Sequence, residues 1–164
     1  MLREQEAVAV QWARVDAVLE GRAGLIPSLV DTVKGFARHE TEVFRNIATA
    51  RAALVGARTP LEKIQANQQL DDALARLLVI TENHPQLRSN KDFLRLEDEI
   101  AGTENRIAVE RRKYNEALER YNTSIELFPN NVVAWLSRFA RNDAYFKTEP
   151  GPGGAPAAAP KTRF

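Results

Sequence analysis

Two Tyr-Asn pairs, Tyr114-Asn115 and Tyr121-Asn122, stand seven residues apart in a stretch that has no glycine after Gly102 and no proline before Pro129. On a helix this spacing sets both tyrosines on one face and both asparagines beside it. Hydroxyl and amide groups in a helical seam either fix register through hydrogen bonds or line a polar ligand site. Three charges, Arg22, Glu104 and Arg111, also fall where apolar residues are due in two long stripes. A carboxylate flanked by two guanidiniums forms a partly buried ionic cluster, since each charge alone would be costly to bury. The alternative is that both arginines run their stems along the bundle edge and keep their heads in water. Together with Tyr114, Asn115, Tyr121 and Asn122 these charges make the one candidate interior polar cluster.

The remaining chemistry is sparse. His39 and His84 lie on different segments, outside any His-Glu-x-x-His pattern, and there is no cysteine. Glu-x-x-His pairs on facing helices, which a di-iron site needs, are missing too. No Gly-x-Ser-x-Gly, phosphate-cradling glycine loop or Walker sequence occurs. Glu97-Asp98-Glu99 and Arg111-Arg112-Lys113 read as solvated turns. No catalytic residue, metal or cofactor is expected.

The elements that would position the cluster follow from periodicity. Steps of four and three link Phe93, Glu97, Ile100, Glu104, Ile107, Arg111, Tyr114, Leu118, Tyr121, Ile125 and Phe128, predicting a long helix over about 90–128. Ser89, with Asp92 three residues on, reads as its cap. Val8, Trp12, Val15, Leu19, Arg22, Ile26, Leu29, Val33 and Phe36 step in the same way and hold phase through Pro27. This predicts one helix over about 3–37, kinked where Pro27 removes a donor and crowds the carbonyl of Ala23. Val43, Ile47, Ala50 and Leu54 mark a helix over about 40–56. Thr59-Pro60-Leu61-Glu62 is a capping box opening a helix over about 60–82, which Asn83-His84-Pro85 stops. After Phe128-Pro129, Asn130 or Asn131 can cap a short helix over about 130–140 carrying Val133, Trp135, Leu136 and Phe139.

The fold expected is therefore all-α: an antiparallel four-helix bundle with a short C-terminal helix, spanning residues 1–147. A Pro/Gly/Ala-rich tail follows over 148–164. If the two long helices lie antiparallel with matched ends, residues whose numbers sum to about 130 share a level, which brings Arg22 between Glu104 and Arg111. The shorter helices cover the end near Phe36 and Phe93. Trp135 and Phe139 are expected to cover the other end, at Trp12, Tyr114 and Tyr121.

With 164 residues, 44% hydrophobic and 27% charged at net charge +1, the chain is neither a disordered acidic sequence nor a basic nucleic-acid binder. No apolar run reaches the roughly eighteen residues of a membrane span.

Several blocks resemble the LemA family. Leu25-Ile26-Pro27-Ser28-Leu29-Val30, Thr32 to Ala37 and His39-Glu40 are similar to its first signature. Glu104-Asn105-Arg106-Ile107-Ala108, Arg111 to Ala117, Tyr121-Asn122-Thr123 and Phe128-Pro129 are similar to its second. Trp12, Asp16 and the Tyr145-Phe146 ending also fit. Ser28 and Phe36 depart from the pattern, where Asn and Tyr are usual. On this resemblance Pro27, Lys34, His39, Glu40, Asn105, Arg106, Phe128 and Pro129 are family-motif positions.

The resemblance implies a bundle of four main helices preceded, in such proteins, by an N-terminal transmembrane anchor. It implies a place at the bacterial inner membrane with the bundle on the extracytoplasmic side, other envelope proteins as partners, and no nucleic acid. It carries no established enzymatic activity, so a scaffold or interaction module is expected. The alternatives are a role in magnetosome membrane biogenesis, on an intracellular membrane, and small-ligand binding in an interior polar cavity of the bundle.

Overall fold

A computed structural model describes residues 1–146, and all its regular structure is helical, with no strand among the described residues. The tail expected over 148–164 lies outside the described residues. Helix α1 spans Leu2–Lys34, α2 Thr41–Gly56, α3 Pro60–Glu82, α4 Pro85–Arg88, α5 Lys91–Glu126 and α6 Asn130–Leu136.

The first stripe forms one continuous helix. Pro27 sits inside α1 on its exposed side without ending it. Its missing N–H leaves the Ala23 carbonyl without its normal partner, and Arg51 Nε of α2 donates to that oxygen at 2.8 Å. Regular helix stops at Lys34, short of the expected residue 37. A turn through Gly35 and Phe36 then lets the N–H groups of Gly35 and Ala37 reach the carbonyls of Asp31 and Val33. The α2 core residues are Phe44, Ile47, Ala50 and Leu54, with Val43 only half-buried.

At α3 the capping box is complete, with Thr59 Oγ1 accepting from Glu62 N at 3.2 Å and Glu62 accepting from Thr59 N. The helix ends at Glu82 with Asn83 as its C-cap, as Asn83-His84-Pro85 predicts, and Pro85 then starts the single turn α4, because proline is well placed at a first helical position. One local expectation changes. Asn90, rather than Ser89, caps α5, its Oδ1 accepting from Asp92 N and Phe93 N at 3.0 Å each. The Ser89 hydroxyl donates back to Gln86 O instead.

The long pair is antiparallel: Trp12 meets Tyr114, Gln11 bonds Glu110, and Arg22 bonds Glu104. The α2 helix also runs against α1, with Lys34 over the Phe44 ring and Arg51 on Ala23. The α3 helix runs parallel to α1, pairing Lys63 with Asp16 and Asp71 with Arg22. Thus α1 packs along α5 on one side and against the α2–α3 hairpin on the other, while α3 and α5 hardly touch.

The far end is covered differently from expectation. Helix α6 ends at Leu136, and Arg138 adopts φ 57°. Ala134 faces the bundle and Phe139 is half-buried, whereas Trp135 is 81% exposed. A small residue brings α6 close to Tyr121 and Ile125 in a way an indole could not. The ring that covers Trp12 and Tyr114 belongs to Phe146, at the end of an irregular strap over 140–146.

Because Arg51 fills the gap Pro27 creates, the two residues are energetically linked. Arg51→Ala is expected to destabilise by about 1 kcal/mol, and by clearly less in a Pro27→Ala background where Ala23 regains its helical partner. A double-mutant cycle from urea unfolding measures this, and a coupling indistinguishable from zero contradicts it.

Candidate functional site

Arg22 stands at the meeting point of three helices. Its side chain is 2% exposed, yet both its carboxylate partners are near half exposed, Asp71 at 44% and Glu104 at 56%. Nη1 lies 2.6 Å from Asp71 Oδ1 and donates to Asn67 Oδ1 at 2.9 Å, and Nη2 reaches Glu104 Oε1 at 3.0 Å. Asn67 Nδ2 donates to Asp71 Oδ2 at 3.3 Å. A buried cation is thus neutralised by anions that keep their water, which lowers the desolvation that makes fully buried pairs unfavourable. Nε has no hydrogen-bond partner.

Arg111 comes from the same face of α5 and lines the same recess, with its guanidinium over the Phe146 ring at 4.9 Å. Asn67 and Asp71 were missed from sequence. Asn67 lies three residues before Leu70, in phase with the α3 stripe, and a polar residue there is the signal that could have found them.

Along the seam where α3 and α5 fail to close runs a furrow of three adjoining recesses. The first, about 420 Å³, opens on Arg22, Asn67, Asp71, Asn105, Ala108 and Arg111. A second of about 260 Å³ has an apolar floor of Leu29, Leu74, Leu77, Phe93 and Ile100. A third of about 300 Å³ lies between Glu82, Arg88 and Glu97. Leu78 borders all three.

The other predicted polar residues serve the strap. Asn115 donates to Phe146 O at 2.9 Å and accepts from Phe146 N at 3.0 Å. One heptad on, Asn122 donates to Asn142 O at 2.7 Å and accepts from Asn142 N at 3.0 Å. Each carboxamide therefore pairs with one residue's backbone as a neighbouring strand would. Seven residues of α5, about 10 Å, are spanned by the four steps between the clamps, because the strap turns within them, Tyr145 N donating to Asp143 O at 2.8 Å. Tyr121 donates to Ala140 O at 2.9 Å, and Asn122 also bonds the Tyr145 hydroxyl at 2.8 Å.

Tyr114 differs, because its ring packs edge-on against Trp12 and Phe146 while its hydroxyl is buried without a partner. Burial pushes its phenol above the ordinary 10.0, with Tyr145 adding a smaller push. The seven predicted cluster residues thus split into two groups. Arg22, Glu104 and Arg111 line the furrow, and Tyr114, Asn115, Tyr121 and Asn122 hold the strap.

The motif positions are mostly at the surface. His39, Lys34, Arg106, Phe128 and Pro129 are exposed, Glu40 is the N-cap residue of α2, and Asn105 lines the furrow. No group of three or more His, Cys, Asp or Glu that could hold a metal occurs among the described residues. None of the described helices is long and apolar enough to cross a membrane.

The LemA family model matches residues 11–164, nearly the whole chain. This chain belongs to the LemA family. Among curated LemA-like relatives, Magnetosome protein MamQ 2 of Paramagnetospirillum magneticum is 32% identical over 90 residues, covering 55% of this chain and 32% of the relative. Protein LemA of Metamycoplasma hominis is 25% identical over 138 residues, covering 82% of this chain and 62% of the relative. Magnetosome protein MamQ of Magnetospirillum gryphiswaldense is 30% identical over 90 residues, with 55% and 32% coverage. This LemA-family chain therefore spans about a third of the length of its magnetosome relatives and less than two thirds of the mycoplasmal one.

The shared neutralisation of Arg22 makes its anions redundant singly and indispensable together. Asp71→Ala or Glu104→Ala alone is expected to cost about 1 kcal/mol, and the double variant about 3 kcal/mol or more. Chemical unfolding measures all three, and simple additivity contradicts the shared-cation reading.

For Tyr114, the folded state holds the phenolic proton more tightly than the unfolded chain does. The associated stability is complete below the unfolded value near 10.0 and falls as pH rises toward the folded value. Tyr114→Phe removes only an unpartnered hydroxyl. It is expected to match the parent within about 1 kcal/mol at neutral pH and to lose less stability above about pH 10. Melting temperatures across an alkaline pH series check this, and identical alkaline slopes contradict it.

Proposed function

We propose that this LemA-family bundle is a non-enzymatic interaction module of a bacterial envelope protein, and that the α3/α5 furrow receives an amphipathic helix of a membrane-associated partner. The observation that carries this is the unclosed seam. In a four-helix arrangement the α3/α5 side is where apolar floor residues would normally be covered, and here Leu78 and Leu94 remain 44% exposed beside it. Between Phe93 and Arg111 the furrow runs about 27 Å along α5, the length of some five turns of helix. Ala101 and Ala108, one heptad apart on its α5 wall, permit close approach of a second backbone.

The charge at one end of the furrow favours a basic guest. Glu82 and Glu97 form no ion pair among the described residues and stand at the Phe93 end with Arg88. A helix with basic residues at that end fits best. The family and the magnetosome proteins among its relatives support a membrane setting. An N-terminal anchor and an extracytoplasmic bundle belong to this proposal and rest on the resemblance to the family.

A second reading, small-ligand capture in the 420 Å³ recess, is favoured by the unsatisfied Nε of Arg22 beside it. A photo-crosslinking residue at Leu78, compared with one at exposed Val55 of α2, tests both in membranes of the parent organism. Adducts at Leu78 that map to one helical segment of a protein, absent at Val55, are expected. A low-molecular-weight adduct instead would replace the helix by a ligand. Equal labelling at the two positions would defeat the furrow as a site.

A further inference from the structure

The row of α5 that holds the strap does not stop where the strap does. Asn122, Asn115, Ala108 and Ala101 stand at successive heptads, a spacing that turns only about 20° per step around a straight helix. The first two grip the strap by its backbone, and the second two form the α5 wall of the furrow. Strap and furrow are therefore one track. The strap follows it against the direction of α5, from Asn142 on Asn122 to Phe146 on Asn115. There the Phe146 ring lies under the guanidinium of Arg111, which lines the first recess of the furrow. At Phe146 the chain has reached the mouth of the furrow and is heading along it.

We propose that the chain's own segment 148–164 continues along this track and occupies the α3/α5 furrow, with Phe164 on the apolar floor and Lys161 and Arg163 against Glu82 and Glu97. This rests on the furrow being a docking groove, as proposed for a partner helix, and supplies the occupant that such a helix must displace. The length fits. Seventeen residues lead from Phe146 to Arg163, which span about 23 Å as a coil and about 50 Å when extended. The furrow is about 27 Å long. The composition fits too, since residues 150–160 are only Pro, Gly and Ala and put no large side chain between their backbone and Ala108 or Ala101. In the first recess Asn105 offers one more carboxamide of the kind that grips the strap, and it makes no hydrogen bond among the described residues.

Past Pro160 the chemistry of the segment changes to Lys161-Thr162-Arg163-Phe164, two cations and a ring. The far end of the furrow is their complement. Glu82, Arg88, Lys91, Asp92, Glu97 and Asp98 together carry a net negative charge there, and the neighbouring Arg95–Glu99 pair adds none. Beside them the second recess has Leu74, Leu77 and Ile100 in its floor, a surface for one phenyl ring. A tether of this length holds the segment at an effective concentration in the millimolar range. A contact too weak to join separate molecules is then enough to keep the furrow filled.

The test uses the full chain, which has no cysteine of its own. Thr162→Cys is combined either with Leu78→Cys, at the border of all three recesses, or with Val55→Cys, exposed on α2. Under mild oxidation at low protein concentration, the Leu78 pair is expected to close its disulfide more than about tenfold faster than the Val55 pair. Adding Lys161→Glu, Arg163→Glu and Phe164→Ser is expected to remove most of that difference. Equal rates for the two pairs, or a Leu78 rate that these three changes leave intact, overturn the proposal. So does a rate that climbs with protein concentration, which assigns the furrow to the segment of a second copy. If Leu78→Cys disturbs the fold by circular dichroism, Leu94→Cys, 44% exposed beside the third recess, takes its place. The two occupants separate in the same chain. A partner adduct at Leu78 in membranes with equal disulfide rates keeps the guest helix and discards the chain's own segment, and fast closure without a partner adduct does the reverse.

Discussion

The architecture turns on one desolvated guanidinium. Arg22 is the place where α1, α3 and α5 are tied at a common level, through Asn67 and Asp71 on one side and Glu104 on the other. Apolar packing is tolerant of small slides between helices, whereas a buried cation is not, since each alternative register strands it without a counter-charge. The direct α1–α3 contacts are few and include two ion pairs, Asp16 with Lys63 and Arg22 with Asp71. The furrow exists because this polar contact sets the α2–α3 hairpin against α1 rather than against α5. The Arg22 cluster therefore fixes the width of the seam as well as the register of the helices that flank it.

A second device completes the opposite end. The α5 helix offers two side-chain amides at heptad spacing, and an irregular strap pairs with them through its own backbone. This lets a segment with no secondary structure satisfy its N–H and C=O groups while delivering Phe146 between Trp12 and Tyr114. The price of the tight aromatic packing is the orphaned Tyr114 hydroxyl, which the rings enclose.

Much of this was legible in residue pattern, for identifiable reasons. The capping box at Thr59 was readable because both of its bonds are local. The phase running through Pro27 was readable because a helix that continues cannot reset its period. The exposure of Glu104, which stands in the long stripe, was not. A strict seven-residue repeat drifts around a straight helix, so Thr103 takes the buried position and Glu104 stands at the surface, as Glu97 does. The covering role assigned to Trp135 failed because hydrophobicity alone does not reveal which residue of a short helix faces inward. Ala134 does so, through fit. The partners of Asn115 and Asn122 lay beyond pattern reading, since an irregular strap has no periodicity to announce it.

The strap also bears on where this folded unit stops. A boundary drawn from helices alone would fall at Leu136, leaving out the residues that Asn122 and Asn115 grip and the ring that closes over Trp12. Cut there, the two tyrosine-asparagine pairs of α5 would face solvent with their amides idle and an indole uncovered. For this architecture the strap belongs to no helix, and any fragment designed or excised on helical limits would carry an unfinished aromatic end.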